Sequence, residues 1–413
     1  MNLTAAFDLI DVLDPSTSTG AVHAILLDTE IADFQQRRGT AARMAGVLRV
    51  LELAEAHPEH FVDLVTEPTA SDREWALRAA VADLAVRLSV AEGTVTAEAM
   101  RTRTMMYRAP RSWAVFADGG MSVGAMRSLA DVVDSVPLDA GVDAVLDTAA
   151  VENAALAPAR FRHVLRRIRE TLHPDSPENR HRAAVDSRRF SHDPADDGMS
   201  WLSLLTTAPL AVEIDARVES LARSLAGVPG ETRTLEQLRA DVAADLLRAD
   251  APGVAPTSLS VGLTVPVMTL LGQSDEPAIL EGYGPIDIET ARELAAGAPS
   301  FHRILTHPIT GTVLDVDRTT YRPPADLKRW IRLRDQHCTF PGCGNPVRRC
   351  DLDHTVDWAC GGPTAAGNLG LLCPRHHRLK HNTAWRVDRP PGSTAAVWTS
   401  PTGAVTQSDP PPF

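Results

Sequence analysis

No cysteine occurs in the first 337 of the 413 residues. A fold held by disulfides spreads and pairs its cysteines, so this chain is not read as a disulfide scaffold. Aromatic residues make up only 5%, so the core must lean on Ala, Leu and Val, and the Ala and Leu share favours helices. No apolar run reaches the roughly eighteen residues a membrane span needs. The start, Met1-Asn2-Leu3-Thr4-Ala5-Ala6-Phe7-Asp8, carries neither a basic patch nor a long apolar stretch. It does not read as a secretory signal, so no membrane partner and a cytoplasmic location are expected.

Positive charge is also scarce: 41 Lys and Arg stand against 53 Asp and Glu, a net −12. That balance is wrong for a protein coated in nucleic acid, but it is uneven. Residues 321–390 hold 12 Lys/Arg and 6 Asp/Glu, a local excess of +6, which leaves −18 for the rest. A basic module on an acidic body can still meet a polyanion locally; a solvated charged surface is the plainer alternative.

The length suggests two or three domains. Residues 1–175 read as helical, with apolar positions Ile25, Ile31, Phe34, Ala41 and Met44 in one helix. Trp75, Leu77, Ala80, Leu84 and Leu88 lie in another, beginning at Asp72. Two short helices around Gly119-Gly120 form either a helix-turn-helix or, preferably, a bundle hairpin. Arg162, Arg166 and Arg169 fall on one helix face, to be met by DNA or by solvent. Residues 176–320 read as α+β. Strands are expected at Ser200–Leu204 and along the alternating Leu259, Val261, Leu263 and Val265. Thr234 and Gln237 form a capping box opening a helix to about Arg248, and a hairpin turn is expected at Pro308-Ile309-Thr310-Gly311. Residues 321–390 form a third module, opening with a helix at about 325–335. Residues 391–413 read as a tail with a short strand at Val397-Trp398.

All five cysteines fall in that module. Cys338 and Cys343 make a C-x4-C pair, and Cys373 and His376 a C-x2-H pair thirty residues on. Two such pairs are the spacing of a tetrahedral structural zinc site. Pro341-Gly342 suits the tight knuckle between the first two. Cys350 and Cys360 are left over; either could substitute as a ligand, and small packed residues are the preferred reading.

Between the zinc pairs stand Asp351-Leu352-Asp353-His354, then Gly361-Gly362-Pro363, then Asn368-Leu369, and finally His376-His377. This series resembles the HNH endonuclease family, whose motif folds as a ββα-metal (His-Me) finger. The resemblance implies a metal-dependent nuclease that hydrolyses phosphodiester bonds in DNA. His354 would be the general base, and Asp353 and His377 would hold a divalent ion, Mg²⁺ or Mn²⁺ or a softer metal. Asn368 would either ligate that ion or hold the loop that orients the base. His381, four residues after His377, matches a second helical histidine that colicin-type nucleases use as a ligand, though an exposed residue near phosphate is the preferred reading. Arg378 and Lys380 could contact nucleic-acid phosphates. A non-catalytic zinc module that binds nucleic acid or protein is the alternative. Upstream, Gly282-Tyr283-Gly284-Pro285-Ile286, Pro308-x-Thr310-Gly311, Tyr321-Arg322-Pro323-Pro324 and Arg334-Asp335-x-x-Cys338 resemble the 13E12-repeat proteins. Those join an HNH module to a long domain of unknown function 222. The fold expected is therefore multidomain: helical, then α+β, then a zinc-stapled ββα finger.

Overall fold

A computed structural model describes residues 18–173, 175, 177–248, 263–266, 269, 277–280, 283–296, 322–390, 393 and 395–409. The fold is mainly helical with small sheets. Residues 1–174 and 305–413 cluster into one compact unit, and residues 175–304 into another. Among the described residues no helix is long and apolar enough to cross a membrane.

In the first unit, helix α1 (Ser18–Ala56) packs on α2 (Ala70–Leu88) and α3 (Glu92–Arg108). Its buried residues Ala41, Met44, Val47, Leu48, Leu51 and Ala54 recur every three or four positions, which puts them on one face. Ile25, expected on that stripe, is exposed. Helix α2 begins two residues before Asp72. Thr69 caps it and Asp72 reaches back to the Thr69 backbone, a reciprocal box that satisfies two of the free amides at a helix start.

Helices α4 (Pro110–Ala117) and α5 (Val123–Asp134) follow, joined through Gly119 at φ +87°. Met126, Leu129 and Val133 of α5 are fully buried in the helical core with Phe116, Met121 and Phe161. The side of α5 left exposed carries Arg127, Asp131 and Asp134, a net acidic face that suits a bundle hairpin better than a helix meeting DNA phosphates. In α6 (Ala140–Glu152), buried Asp147 accepts from the Arg111 and Ser112 amides at 3.0 and 2.8 Å and so caps α4 from across the core. In α7 (Pro158–Leu172), Phe161 and Leu165 face inward. Of the expected positive face, Arg162 and Arg169 donate to the Ser128 and Ser135 hydroxyls, and Arg162 and Arg166 are exposed.

The second unit holds α8 (Pro177–Val185) and an antiparallel pair, β1 (Arg189–Pro194) and β2 (Ser200–Leu205), in which His192 faces Leu202. Helices α9 (Ala208–Ala226) and α10 (Leu235–Arg248) pack through Val218, Ala222, Leu238 and Val242. Gln237 and Thr234 form the expected capping box at the start of α10. Strands β3 (Leu263–Thr264), β4 (Ala278–Leu280) and β5 (Gly284–Ile286) make an antiparallel sheet, followed by α11 (Ile288–Ala296). Residues 259–262 of the expected alternating strand and the expected hairpin at Pro308 lie outside the described residues.

The C-terminal module belongs to the first unit. Helix α12 (Ala325–Asp335) leads to an antiparallel pair, β6 (Asp351–His354) and β7 (Leu369–Leu372), and then to α13 (Pro374–Asn382). The register sets Asp353 opposite Gly370 and His354 opposite Leu369. The stretch expected to be a tail contributes two strands. Strands β8 (Arg386–Asp388), β9 (Val397–Thr399) and β10 (Val405–Gln407) form a meander whose Trp398 is buried. This sheet is also part of the docking onto α2. The Trp385 indole donates to the Ala79 carbonyl at 3.3 Å, the Ala384 amide donates to Phe61, and Arg87 donates to the Thr402 hydroxyl.

Candidate metal centres

Cys338, Cys343, Cys373 and His376 come together with their donor atoms within 4.8 Å of one another, so they could hold a metal ion. The knuckle is built locally. The Cys343 amide donates to Phe340 O at 3.1 Å, the Cys338 amide to Asn345 O at 2.9 Å, and Gly342 takes φ +72°, a left-handed angle costly for other residues. Thr339 pins the knuckle to β7 through its amide and hydroxyl, both donating to Leu371 O. Cys373 stands at the mouth of α13, and the first turn carries His376 back to the thiols. Its Nδ1 lies 3.4 Å from the sulfurs of both Cys338 and Cys373. Burial disfavours a charged imidazole here, but Cys343, Cys373 and the Glu92 carboxylate outweigh it and push the His376 pKa up to about 11. Cys350 is buried, with its thiol toward the Pro346 and Asn345 carbonyls, whereas Cys360 is exposed rather than packed.

A second cluster joins Asp353, His377 and His381. One carboxylate oxygen, Asp353 Oδ1, lies 3.1 Å from His377 Nε2 and 3.2 Å from His381 Nε2. The two imidazoles sit one turn apart on α13, ring centroids 4.9 Å apart and nearly perpendicular. The other oxygen, Oδ2, accepts from Lys380 Nζ at 2.6 Å. Burial raises the Asp353 pKa, but the bonds from His377 and Lys380 outweigh it and hold the carboxyl below its usual range. His377 is raised, chiefly by its bond to Asp353.

A family model described as domain of unknown function (DUF222) matches residues 35–335. The chain belongs to the DUF222 family. Both donor clusters lie beyond the matched range. The uncharacterized protein Rv3776 of Mycobacterium tuberculosis is 39% identical over 127 residues, 30% of this chain and 23% of that protein. Two further uncharacterized M. tuberculosis proteins, MT2160 and Rv2100, are each 45% identical over 84 residues, 20% of this chain and 15% of theirs. The DUF222 chain thus spans under a quarter of the length of these relatives. No solved structure matches it.

His354 follows Asp353 on β6, and both residues are buried. The His354 Nε2 lies 3.0 Å from the hydroxyl of fully buried Thr364. Its pKa is lowered, first by burial and also by Lys380, against the pull of Asp353 and Asp357. Asn368 spends its side-chain amide on the loop backbone. Its Oδ1 accepts from the Val356 amide at 2.8 Å, and its Nδ2 donates to Val356 O at 3.0 Å and Pro363 O at 2.9 Å. These three bonds tie Asn368 to the loop between β6 and β7. The loop needs glycine here, since a Cβ on Gly362 would stand 1.8 Å from Val356 O and 2.7 Å from Asn368 Nδ2.

Lys380 is not a surface phosphate contact: its side chain is 9% exposed and turned inward onto Asp353 and the His354 carbonyl. Arg378 stays exposed. His381 is an added member of the second cluster, and its i, i+4 relation to His377 was the available signal. Nothing in the sequence marked Glu92, and the Arg334–Asp335 pair stood there only within a family motif, with no role of its own. That pair is almost wholly buried and bolts α12 to the strand below the site. Arg334 donates to Ala366 O and Leu369 O at 2.7 Å each, and Asp335 accepts from the Leu371 amide.

Proposed function

We propose that the C-terminal module is a metal-dependent HNH-type endonuclease that hydrolyses phosphodiester bonds in DNA, with a structural zinc apart from its reactive cation. The observation that carries this is the convergence of Asp353, His377 and His381 on one point, with His354 the next residue after Asp353 on β6. Nothing in a binding-only module requires a three-donor pocket next to a buried histidine kept neutral.

The two clusters suit different ions. Three thiols and an imidazole form a soft, closed tetrahedral set suited to zinc. With bond lengths near 2.3 and 2.0–2.1 Å, a tetrahedral S–N edge measures about 3.6 Å, close to the 3.4 Å separations seen at His376. Such a site has no open position and holds the fold. One carboxylate and two imidazoles leave positions open, and suit Mg²⁺, Mn²⁺ or a softer divalent ion. A cation held there supplies positive charge to the phosphoryl group and the departing oxygen.

The residues divide the remaining work. His354, neutral at pH 7 because its pKa lies below the usual 6.5, takes a proton from the attacking water. Thr364 fixes its ring. In the tautomer whose Nε2–H donates to Thr364, Nδ1 is the basic atom. Asn368 keeps the loop over that ring in one shape. Lys380 offsets the Asp353 charge, so the pocket keeps more of the cation's positive field for the phosphate. Arg378, exposed on α13, is placed to meet a backbone phosphate without reading sequence.

The test is cleavage of supercoiled plasmid DNA by the purified full chain with Mg²⁺ or Mn²⁺. Nicking is expected, and His354→Ala should lower the rate by about 10²–10⁴-fold, the usual contribution of a general base. Equal cleavage by His354→Ala, or none by either protein in any divalent metal, refutes the nuclease reading.

A further inference from the structure

His376 does not end at the thiols. Its Nδ1 faces Cys338 and Cys373, and its Nε2 lies 2.7 Å from Oε1 of Glu92, which stands 284 positions earlier as the first residue of α3. That carboxylate is only 13% exposed, and its second oxygen pairs with Arg375. Phe340 stacks on the His376 ring at 4.1 Å and meets Trp385 and Trp398 edge-on. Trp385 in turn reaches the Ala79 carbonyl of α2. The imidazole therefore sits where the module meets the helical region, touching a residue of each.

We propose that Glu92 is the outer carboxylate of the Cys338–Cys343–Cys373–His376 metal site, so that metal binding and docking of the module onto the helical region are one coupled equilibrium. This rests on the zinc reading of that site and not on the nuclease reading. A histidine that binds metal through Nδ1 keeps its proton on Nε2, and a carboxylate accepting that proton fixes the ring and raises its basicity. Such partners ordinarily tune metal affinity by about 10- to 100-fold. Here the partner belongs to the DUF222-matched helices. Whatever strengthens the metal site through Glu92 must then strengthen the docked arrangement by the same factor, because coupling is reciprocal.

The experiment uses the full-length zinc-loaded chain. Zinc release to excess chromophoric chelator is timed for wild type, Glu92→Ala, Glu92→Gln and Arg375→Ala. Release should speed up about 10-fold or more in Glu92→Ala. It should be intermediate in Glu92→Gln, whose amide oxygen still accepts the Nε2 proton but lacks charge. Arg375→Ala, which removes the surface partner alone, should stay within about two-fold of wild type. In parallel, stripping zinc from wild type should raise amide hydrogen exchange across the first turns of α3, residues 92–98. If Glu92→Ala frays α3, seen as lost helicity by circular dichroism, Glu92→Gln decides. Wild-type release rates in Glu92→Gln and Glu92→Ala, or exchange in α3 indifferent to zinc, overturn the proposal. A wild-type chain that binds no zinc overturns both it and the zinc assignment, and neither result depends on DNA cleavage.

Discussion

The role of Asn368 can be tested against the alternative that it ligates the reactive ion. Replacing it with alanine removes three hydrogen bonds, to the Val356 amide, the Val356 carbonyl and the Pro363 carbonyl. The residue is 9% exposed, so water does not simply take its place. At a net value of about 0.5–1.5 kcal/mol each, the loop should lose roughly 2–4 kcal/mol of local stability. The most direct reporter is the Val356 amide, because its partner is the deleted side chain itself. By the conversion of 1.36 kcal/mol per tenfold, its hydrogen exchange should accelerate about 30- to 1,000-fold in Asn368→Ala. Mn²⁺ affinity, read by calorimetry, should change by less than about threefold, since no ligand is lost. Asn368→Asp sharpens the contrast. One oxygen can still accept from Val356, but the other faces two carbonyl oxygens, so the loop should open as in alanine, whereas a metal site would welcome the added charge. Abolished Mn²⁺ binding in Asn368→Ala with unchanged Val356 exchange refutes the loop-holding role.

Two further outcomes follow from the same geometry. Gly362→Ala should destabilise the module by about 1–3 kcal/mol, the usual cost of overpacking, because the new methyl meets the Val356 backbone rather than a flexible side chain. Gly361→Ala, strained only by φ +86°, should cost about 1 kcal/mol; thermal melts in which Gly361→Ala is the worse variant contradict this packing. The Asp353–His377 pair sets a pH dependence. In the metal-free chain the depressed Asp353 pKa contributes stability above its unfolded value of 3.8, lost as pH falls through the folded value. The raised His377 pKa contributes stability below 6.5, lost as pH rises through its folded value. A proton on His377 competes with the cation, so Mn²⁺ affinity should keep rising with pH past 6.5. Asp353→Asn should weaken binding and shift that rise to lower pH. An affinity flat across this range would show that His377 is not a ligand.

The candidate donors were legible in sequence, His381 excepted, because metal chemistry constrains residue type and spacing together. Cys338 and Cys343 at C-x4-C, and Cys373 and His376 at C-x2-H, name a tetrahedral set before any fold is known. His377 and His381 declare a shared helix face. The helices α1 and α2 and the capping box at Thr234 were legible for the same local reason: a helix's period and its cap lie within a few residues of each other. What sequence could not supply was pairing across long separations. Lys380 reads as a surface cation on a basic helix. Only β6 lying under α13 brings Asp353 to its ammonium and turns it inward. Asn368 reads as a ligand or a loop clamp until the carbonyls of Val356 and Pro363 are seen on its amide. Glu92 reads as an ordinary acidic residue at a helix start, favourable there for the dipole alone. Its bond to His376 spans 284 positions and stands beside the docking of Trp385 and the Thr402 turn on α2, a pairing no local pattern announces. The candidate donors are therefore written locally. Those that hold the binders in place are drawn from distant parts of the chain, and the matched DUF222 region includes at least one of them.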